Sequence, residues 1–174
     1  VREITHQRVT ELLDYSPETG EFVWKRRNSA NSRNDAKFNN RFAGKLDGCP
    51  RGNGYLSITI DREVFSSHRL AWFYTTGGWP PETIDHVNGN RADNRIENLR
   101  PATQCQNVIN SPRRPNKTGF KGVWRDASSA NRWVAEIKIN VKRRYLGAFK
   151  SAEEAAAAFQ EAAQEHHGEF SCHS

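Results

Sequence analysis

The polar segment 84–100, followed by Asn107, holds the residue types that metal-assisted hydrolysis of a phosphodiester requires. A carboxylate oxygen from Asp85 and an amide oxygen from Asn107 are hard ligands that suit Mg²⁺, which keeps several waters for a substrate phosphate to displace. His86, with an ordinary pKa of about 6.5, can take a proton from water near neutral pH. These three residues therefore form a candidate hydrolytic site.

The elements predicted around these residues bring them within reach of one another. Residues 84–86 are predicted to form a strand and residues 97–100 a return strand, and Asn107 lies on a short helix that begins with a Thr103-x-x-Gln106 capping box. A hairpin followed by such a helix is a ββα unit. It can aim three side chains at one point.

This arrangement has one geometrical condition and one alternative. Adjacent residues of a regular strand point to opposite faces, so Asp85 and His86 converge only if the strand ends or is distorted there. The Asn88-Gly89-Asn90 segment that follows allows this. The residues alone equally support a second interpretation, in which Asp, Asn and Gly build a turn and His86 is a surface or packed histidine.

Charge is unevenly distributed along the 174 residues. Lys and Arg exceed Asp and Glu by 26 − 20 = 6, and the pI of about 9.5 favours a polyanionic partner such as nucleic acid. Residues 113–150 hold 11 basic and 2 acidic side chains. A second basic stretch, 25–41, is predicted to be an exposed loop or arm, with a solvated role and a phosphate-contacting role equally open.

Several classes of protein are disfavoured. Hydrophobic residues make up 36% of the chain and mean hydropathy is −0.86, so we expect modest cores, no membrane span and no leader segment for secretion. The three cysteines, Cys49, Cys105 and Cys172, form no CxxC pair, so neither a disulfide framework nor a thiolate zinc site is expected. A reducing, intracellular location is therefore predicted.

The proline-rich, polar segment 111–118 predicts a linker. We divide the chain into a domain over 1–112, a linker over 113–118 and a domain over 119–174. Before the linker, the patterns predict a helix over 5–15, strands over 21–24, 55–61 and 64–66, and a helix over 68–74. After it, they predict strands over 120–125, 132–140 and 143–149, then a helix from Ser151 to Gly168.

The first domain resembles the phage HNH homing endonucleases. Residues 55–110 carry the likeness, and residues 4–24 resemble the lead-in segment of the same proteins. The matching motifs are His68-Arg69-Leu70-Ala71-Trp72, Ile84-Asp85-His86, Asn88-Gly89-Asn90, Asp93-Asn94-Arg95 and Glu97-Asn98-Leu99-Arg100.

This resemblance implies a role for each site residue. His86 would be the general base, and Asp85 and Asn107 would hold one divalent metal, Mg²⁺ or alternatively Mn²⁺, within a ββα-metal core over 84–111. Asn98 would brace the loop by hydrogen bonds to the strand that carries His86. The third family position is often His and is Asn107 here, which disfavours zinc. We interpret His68 as a packing residue.

The second domain resembles the AP2 DNA-binding domain over residues 118–170, which implies a three-stranded antiparallel sheet that enters the major groove and is backed by one helix. The motifs are Gly119-Phe120-Lys121-Gly122-Val123, Trp133-Val134-Ala135-Glu136-Ile137, Tyr145-Leu146-Gly147-Ala148-Phe149 and Ser151-Ala152-Glu153-Glu154-Ala155-Ala156. By position, the DNA contacts would be Lys121, Arg132, Glu136, Lys138, Arg143 and Tyr145, with Arg125 as a neighbour.

Strand alternation is an independent check on this assignment. It places Arg132, Val134, Glu136 and Lys138 on one face and Trp133, Ala135, Ile137 and Ile139 on the other. A charged face of this kind also fits plain exposure to solvent. Trp124 and Asp126 stand where the plant relatives often have Arg, so base preference does not transfer.

The sequence thus predicts an α+β protein that acts as a site-specific DNA endonuclease of the HNH homing type. It would cut a phosphodiester to leave 5′-phosphate and 3′-hydroxyl ends, bind duplex DNA as a monomer on an asymmetric site, and need no small-molecule cofactor. If phage-encoded, it would act in a bacterial cytoplasm. The alternatives are a non-enzymatic DNA-binding regulator and an RNA-binding protein, although the exposed aromatic pattern of RNA modules is missing.

Overall fold

The computed structural model describes residues 4–28, 32–110, 118–128, 132–139 and 142–170. The chain divides into two compact units, residues 1–103 and residues 104–174. This division precedes the predicted linker 113–118, of which residues 113–117 lie outside the described part, so that linker stays a prediction. No helix in the described residues is long and apolar enough to cross a membrane.

The first unit begins with a helix that is shorter than predicted. Helix α1 spans His6–Leu12, and the side chain of Thr5 caps it by accepting from the backbone N–H of Arg8 at 3.2 Å. Strand β1, Leu13–Ser16, follows at once and pairs antiparallel with β2, Glu21–Trp24. The predicted helix over 5–15 is wrong beyond residue 12, because Leu13 and Tyr15 are buried by strand alternation instead.

The basic stretch 25–41 is not the loop or arm predicted, because it contains a helix. Helix α2 spans Ser32–Arg41 and is followed by strand β3, Leu46–Asp47, which pairs with β2. Phe38 meets the ring of Trp24 edge-on at 5.4 Å and packs against the core of the unit. Phe38 therefore anchors a helix that is mostly polar.

A strand, a tight turn, a second strand and a helix follow as predicted. Strand β4 is Cys49–Pro50, β5 is Leu56–Ile60 and β6 is Glu63–Ser66, joined in the order β4-β5-β6, and α3 is Ser67–Thr76. Asp61 and Arg62 turn the chain between β5 and β6 with positive φ angles of 49° and 74°. Ile58 and Leu70 are fully buried in the core that this layer shares with β1 and β2.

Strands β7, Thr83–His86, and β8, Leu99–Ala102, form the antiparallel hairpin that carries the candidate site. Asp85 lies opposite Arg100, and His86 lies opposite Leu99. The return strand begins two residues later than predicted. Ile96–Asn98 form a 3₁₀ turn, which closes the loop before the ladder starts.

The second unit begins with helix α4, Gln104–Asn110. Strands β9, Val123–Arg125, β10, Trp133–Ile139, and β11, Lys142–Phe149, form one antiparallel sheet in the order β11-β10-β9. Helix α5, Ala152–His167, packs on this sheet. The predicted three strands and one helix are confirmed, and the assignment to the AP2 family stays a prediction.

Small residues allow α5 to lie close to the sheet. Its buried stripe is the predicted one: Ala152, Ala155, Ala156, Phe159, Ala162 and Ala163. Ser151 caps the helix by accepting from the N–H of Glu154 at 3.1 Å. A Cβ atom on Gly122 would lie 2.3 Å from the ring of Phe159, so glycine is required where the ring covers β9 and β10.

Candidate active site

Asp85 is held by an ion pair across the β7–β8 hairpin. The Nε and Nη2 atoms of Arg100 donate to its Oδ2 atom at 2.9 and 2.7 Å, and both residues are largely buried. A buried carboxylate needs such a partner, because desolvation of an isolated charge is expensive. The pair fixes the orientation of the carboxylate.

His86 ends β7 and packs among aromatic rings. Its ring centroid lies 5.2 Å from that of His68 on α3 and 5.8 Å from that of Tyr55. Burial lowers the pKa of His86 below its ordinary value, against the opposing effects of Asn94, Asp85 and Asp93. The imidazole is therefore neutral at pH 7, which is the form able to accept a proton.

Asn94 contacts the imidazole of His86. Its Oδ1 atom lies 3.4 Å from Nε2 of His86 within the buried interior. This contact holds the ring, whichever of its two nitrogens carries the proton. A histidine oriented by another side chain is the arrangement of bases in hydrolytic sites.

The N-terminal hairpin clamps Asn94 in turn. The hydroxyl of Tyr15 donates to the backbone carbonyl of Asn94 at 2.7 Å, and burial raises the pKa of Tyr15 to about 12, so it stays protonated. A Cβ atom on Gly20 would lie 2.4 Å from the backbone nitrogen of Arg95, so the β1–β2 turn touches this segment directly. Strands far from the loop in sequence thus support the histidine.

Asn98 ties together the two ends of the loop after β7. Its Oδ1 atom accepts from the backbone N–H of Asn88 at 2.9 Å, and its Nδ2 atom donates to the carbonyl of Asp93 at 2.8 Å. Its own carbonyl accepts from Val87 at 2.9 Å. These are bracing contacts of the kind that the family resemblance implies, and a part for Asn98 in catalysis stays a prediction.

The ring of His68 lies beside that of His86 at the edge of the site. Burial, with the charges of His86 and Arg69, lowers the pKa of His68 to about 3, so it is neutral. Its buried Nδ1 atom has no hydrogen-bond partner among the described residues. The rings of His68 and Tyr55, 5.0 Å apart, form the wall against which His86 packs.

Asn107 lies half-buried on α4, in the second unit. Its meeting with Asp85 and His86 therefore stays a prediction. Within the described ranges, no three His, Cys, Asp or Glu side chains group as metal ligands. The predicted donors, one carboxylate and one amide oxygen, have the chemistry that a hard divalent cation prefers, and Asp85 would share its carboxylate with Arg100.

The second unit brings together four of its predicted contact residues on the sheet face opposite α5. Glu136 pairs with Tyr145, and Lys138 pairs with Arg143, so these side chains share that face. Arg143 lies 3.4 Å from the Glu136 carboxylate. Arg132, exposed and one residue before β10, belongs to the same face by alternation. We call these five residues the outer face.

Lys121 and Arg125 lie elsewhere. The ammonium of Lys121 donates to the carbonyl of Ile109 on α4. Arg125 pairs with Trp133 and lies 6.0 Å over its ring, on the side where α5 packs. Trp124, exposed and paired with Val134, joins the outer face instead.

Sequence reasoning missed Asn94, Tyr15 and Trp124. A signal existed for two of them: Asn94 stands inside the Asp93-Asn94-Arg95 motif, and strand alternation separates Trp124 from Arg125. No local pattern points to Tyr15, because its role depends on a hydrogen bond to Asn94, which is 79 positions away in the sequence.

Comparison with known proteins gives a match over the segment that contains the β7–β8 hairpin. Residues 66–109 match the family model described as HNH endonuclease. This segment is therefore similar to HNH endonuclease domains. Asp85, His86, Asn98 and Asn107 all lie within the part that matches the HNH model.

One curated relative is the uncharacterized HNH endonuclease L560 of Acanthamoeba polyphaga mimivirus. It is 29% identical over 120 residues, which cover 68% of this chain and 61% of the relative. The chain thus spans about three fifths of the length of the curated relative that it matches. No solved structure gives a significant match.

Proposed function

We propose that this chain is a metal-dependent, site-specific DNA endonuclease of the homing type, in which the first unit hydrolyses a phosphodiester and the second unit binds the duplex. One observation carries the proposal. Inside the segment that matches the HNH model, a buried and neutral His86 is held through Nε2 by Asn94, next in sequence to a carboxylate fixed by Arg100.

His86 acts as the general base. Its imidazole takes a proton from the attacking water, and the imidazolium that forms is stabilised by the nearby charges of Asp85 and Asp93. Asn94 keeps the ring in one orientation. Asn98 holds the loop that carries Asn94, so the geometry does not have to be reorganised during the reaction.

Asp85 and Asn107 are the residues that would hold a divalent cation, with Mg²⁺ or Mn²⁺ suited to these donors. When bound, the cation supplies positive charge that stabilises the phosphate as negative charge develops on it. Asp85 enters this role already oriented by Arg100. The products would be 5′-phosphate and 3′-hydroxyl ends.

The outer face of the second unit supplies binding. Arg132, Lys138 and Arg143 are exposed cations, and Trp124 and Tyr145 are exposed aromatic side chains on the same sheet. Cations bind phosphates, whereas aromatic and polar side chains reach base edges in the major groove. The likeness of residues 118–170 to AP2 domains supports duplex DNA as the partner and a monomer as the acting form.

A plasmid assay tests the proposal. Supercoiled plasmid is incubated with the full chain and either Mg²⁺, Mn²⁺ or EDTA, and the ends are mapped by ligation and by phosphatase sensitivity. We expect relaxed or linear DNA only with the divalent cation, and ends that T4 DNA ligase can rejoin. Cleavage that persists in EDTA would contradict the metal-dependent mechanism.

One observation favours the alternative of a non-enzymatic DNA-binding regulator. The carboxylate of Asp85 already pairs with a guanidinium, which neutralises the charge that a metal would use. In that case the chain would bind duplex DNA and leave plasmid intact with every divalent cation. The same assay, read beside a binding measurement, separates the two functions.

A further inference from the structure

Helix α2 presents a row of cations on the first unit. Arg33, Lys37 and Arg41 recur every four residues and are all exposed. Residues at this spacing lie on one side of a helix, each rotated by about 40° from the last. We call these three residues the α2 stripe.

The stripe stands on a rigid support. About 100° around α2 from Lys37, Phe38 packs against the core cluster beneath the guanidinium of Arg27, whose Cζ atom lies 3.5 Å from the ring centroid. The side chain of Asn39 bonds to both backbone groups of Arg27, accepting at 2.8 Å and donating at 2.9 Å. The three cations are therefore displayed by a docked helix.

Among the described residues, no carboxylate forms an ion pair with the stripe. Within the part of the chain that the structure describes, Arg33, Lys37 and Arg41 form no ion pair, in contrast to Arg8, Lys25, Arg95 and Arg100. Asp35, the acidic residue of α2, is buried and so lies off the exposed side. A surface of unpaired like charges is unfavourable in the free protein and is relieved by a polyanion.

We propose that the α2 stripe is a second duplex-DNA contact, on the nuclease unit itself, that binds phosphates of one strand. Eight residues of helix span about 12 Å, and one strand of B-DNA presents a phosphate every 3.4 Å or so along its axis, so three cations face about three phosphates. The proposal rests on the proposed function for its choice of partner. It adds a contact outside both the hydrolytic site and the outer face.

Such contacts carry no base information and position the nuclease unit on the backbone. A unit that binds the duplex through its own surface does not depend on the linker to reach the DNA. Each phosphate contact releases counterions and contributes about 0.9 to the slope of log K against log salt concentration.

The experiment compares two double variants of the full chain. Lys37→Gln with Arg41→Gln removes two stripe charges, and Arg51→Gln with Arg62→Gln removes two exposed charges elsewhere on the same unit. Binding to a labelled 30-base-pair duplex is measured by fluorescence anisotropy in EDTA, from 50 to 200 mM salt. Plasmid nicking with Mg²⁺ is run on the same preparations.

We expect the slope of log K against log salt concentration to be smaller by about 1.8 in the stripe variant than in wild type. Between 50 and 200 mM salt, the affinity of the stripe variant should therefore fall about tenfold less than that of wild type. The control variant should keep the wild-type slope. Arg41→Lys, which retains the positive charge, should also keep the wild-type salt slope. Equal slopes in the stripe variant and wild type, or equal losses in the stripe and control variants, would overturn the proposal. If the wild-type chain nicks plasmid in the same experiment, either of these results contradicts only the α2 stripe as a DNA contact and not the proposed nuclease function.

Discussion

The polar residues of the candidate active site are buried, whereas those of the outer face are exposed to solvent. Asp85, His86, Asn94 and Asn98 expose 3%, 4%, 1% and 4% of their surface, and each is held by another residue of the first unit. Tyr145 on the outer face exposes 60%, and Arg143 meets Glu136 only at 3.4 Å. Both groups of residues are polar, and both are proposed to contact duplex DNA.

The difference teaches how each region can be identified. Buried polar groups are retained only when partners compensate for their desolvation, so removal of one partner has a large effect. Exposed charges are screened by water and salt, and each contributes little alone. The polar residues of the first unit therefore depend on specific partners, whereas each charge on the outer face contributes a weak contact.

The largest expected effect is on the buried ion pair. Asp85→Asn should destabilise the first unit by about 3 kcal/mol, because the guanidinium of Arg100 stays buried without its carboxylate. It should also abolish nicking. The free energy is measured by urea unfolding, with the first unit resolved by hydrogen exchange of its amides.

Glu97→Gln is the matched control, since the carboxylate of Glu97 is 71% exposed and pairs with Arg95 beside the same hairpin. We expect a loss below about 1 kcal/mol there, as for exposed ion pairs in general. Equal losses in the two variants would break the distinction between buried and exposed polar groups.

Asn94→Ala comes next in size. Loss of the Oδ1 atom removes the group that holds Nε2 of His86, and we expect cleavage to fall about 10- to 100-fold, the effect of removing an outer-shell residue that orients an imidazole. Nicking rates at saturating metal measure it, together with ¹⁵N shifts of the His86 ring, which report the tautomer. Asn34→Ala on the exposed side of α2 serves as the control. An unchanged tautomer and rate would remove Asn94 from the site.

The acid dependence of stability should follow His68. Burial holds its folded-state pKa at about 3, against about 6.5 when unfolded, so between these values the unfolded chain binds the extra proton. The free energy of unfolding of the first unit should therefore fall by up to about 1.4 kcal/mol per pH unit as pH drops below 6.5, and be insensitive to His68 above it. His68→Gln should flatten this slope in urea titrations at pH 4 to 7. A variant slope as steep as that of wild type would show that His68 is not buried neutral.

The smallest effect belongs to the outer face. Lys138→Ala should reduce the salt slope of duplex binding by about one unit if its ammonium contacts one phosphate, with little effect on folding. Lys150→Ala, exposed just beyond β11, is the comparison. If the two variants keep the same slope, Lys138 does not touch the backbone.

Much of the fold was predictable where local patterns coincide with tertiary packing. The strands of the second unit and the Ala152-to-Ala163 stripe of α5 follow from period and capping alone. Helix α2 was not predictable, because its segment is as polar as a loop and is docked by tertiary contacts of Phe38 and Asn39. Leu13 fits both a helical and an alternating pattern, and pairing with Trp24 decides between them.

The site divides in the same way. Asp85, His86 and Asn98 are recognisable as motif residues, and the contacts of Asn98 follow from its place at the end of the loop. The pairing of Asp85 with Arg100 follows only from the exact register of the hairpin, which the predicted strand bounds did not specify. The clamp of Tyr15 on Asn94 is a long-range contact, and local spacing carries no information on such contacts.

The central claim is that His86 activates water for hydrolysis of DNA, and plasmid nicking by His86→Ala tests it most directly. The variant is compared with wild type and with His166→Ala, a histidine of the second unit, at pH 7.5 with Mg²⁺. The account predicts a rate about 10²- to 10⁴-fold below that of wild type for His86→Ala, with duplex binding retained, and full activity for His166→Ala. Nicking by His86→Ala at the wild-type rate would contradict it.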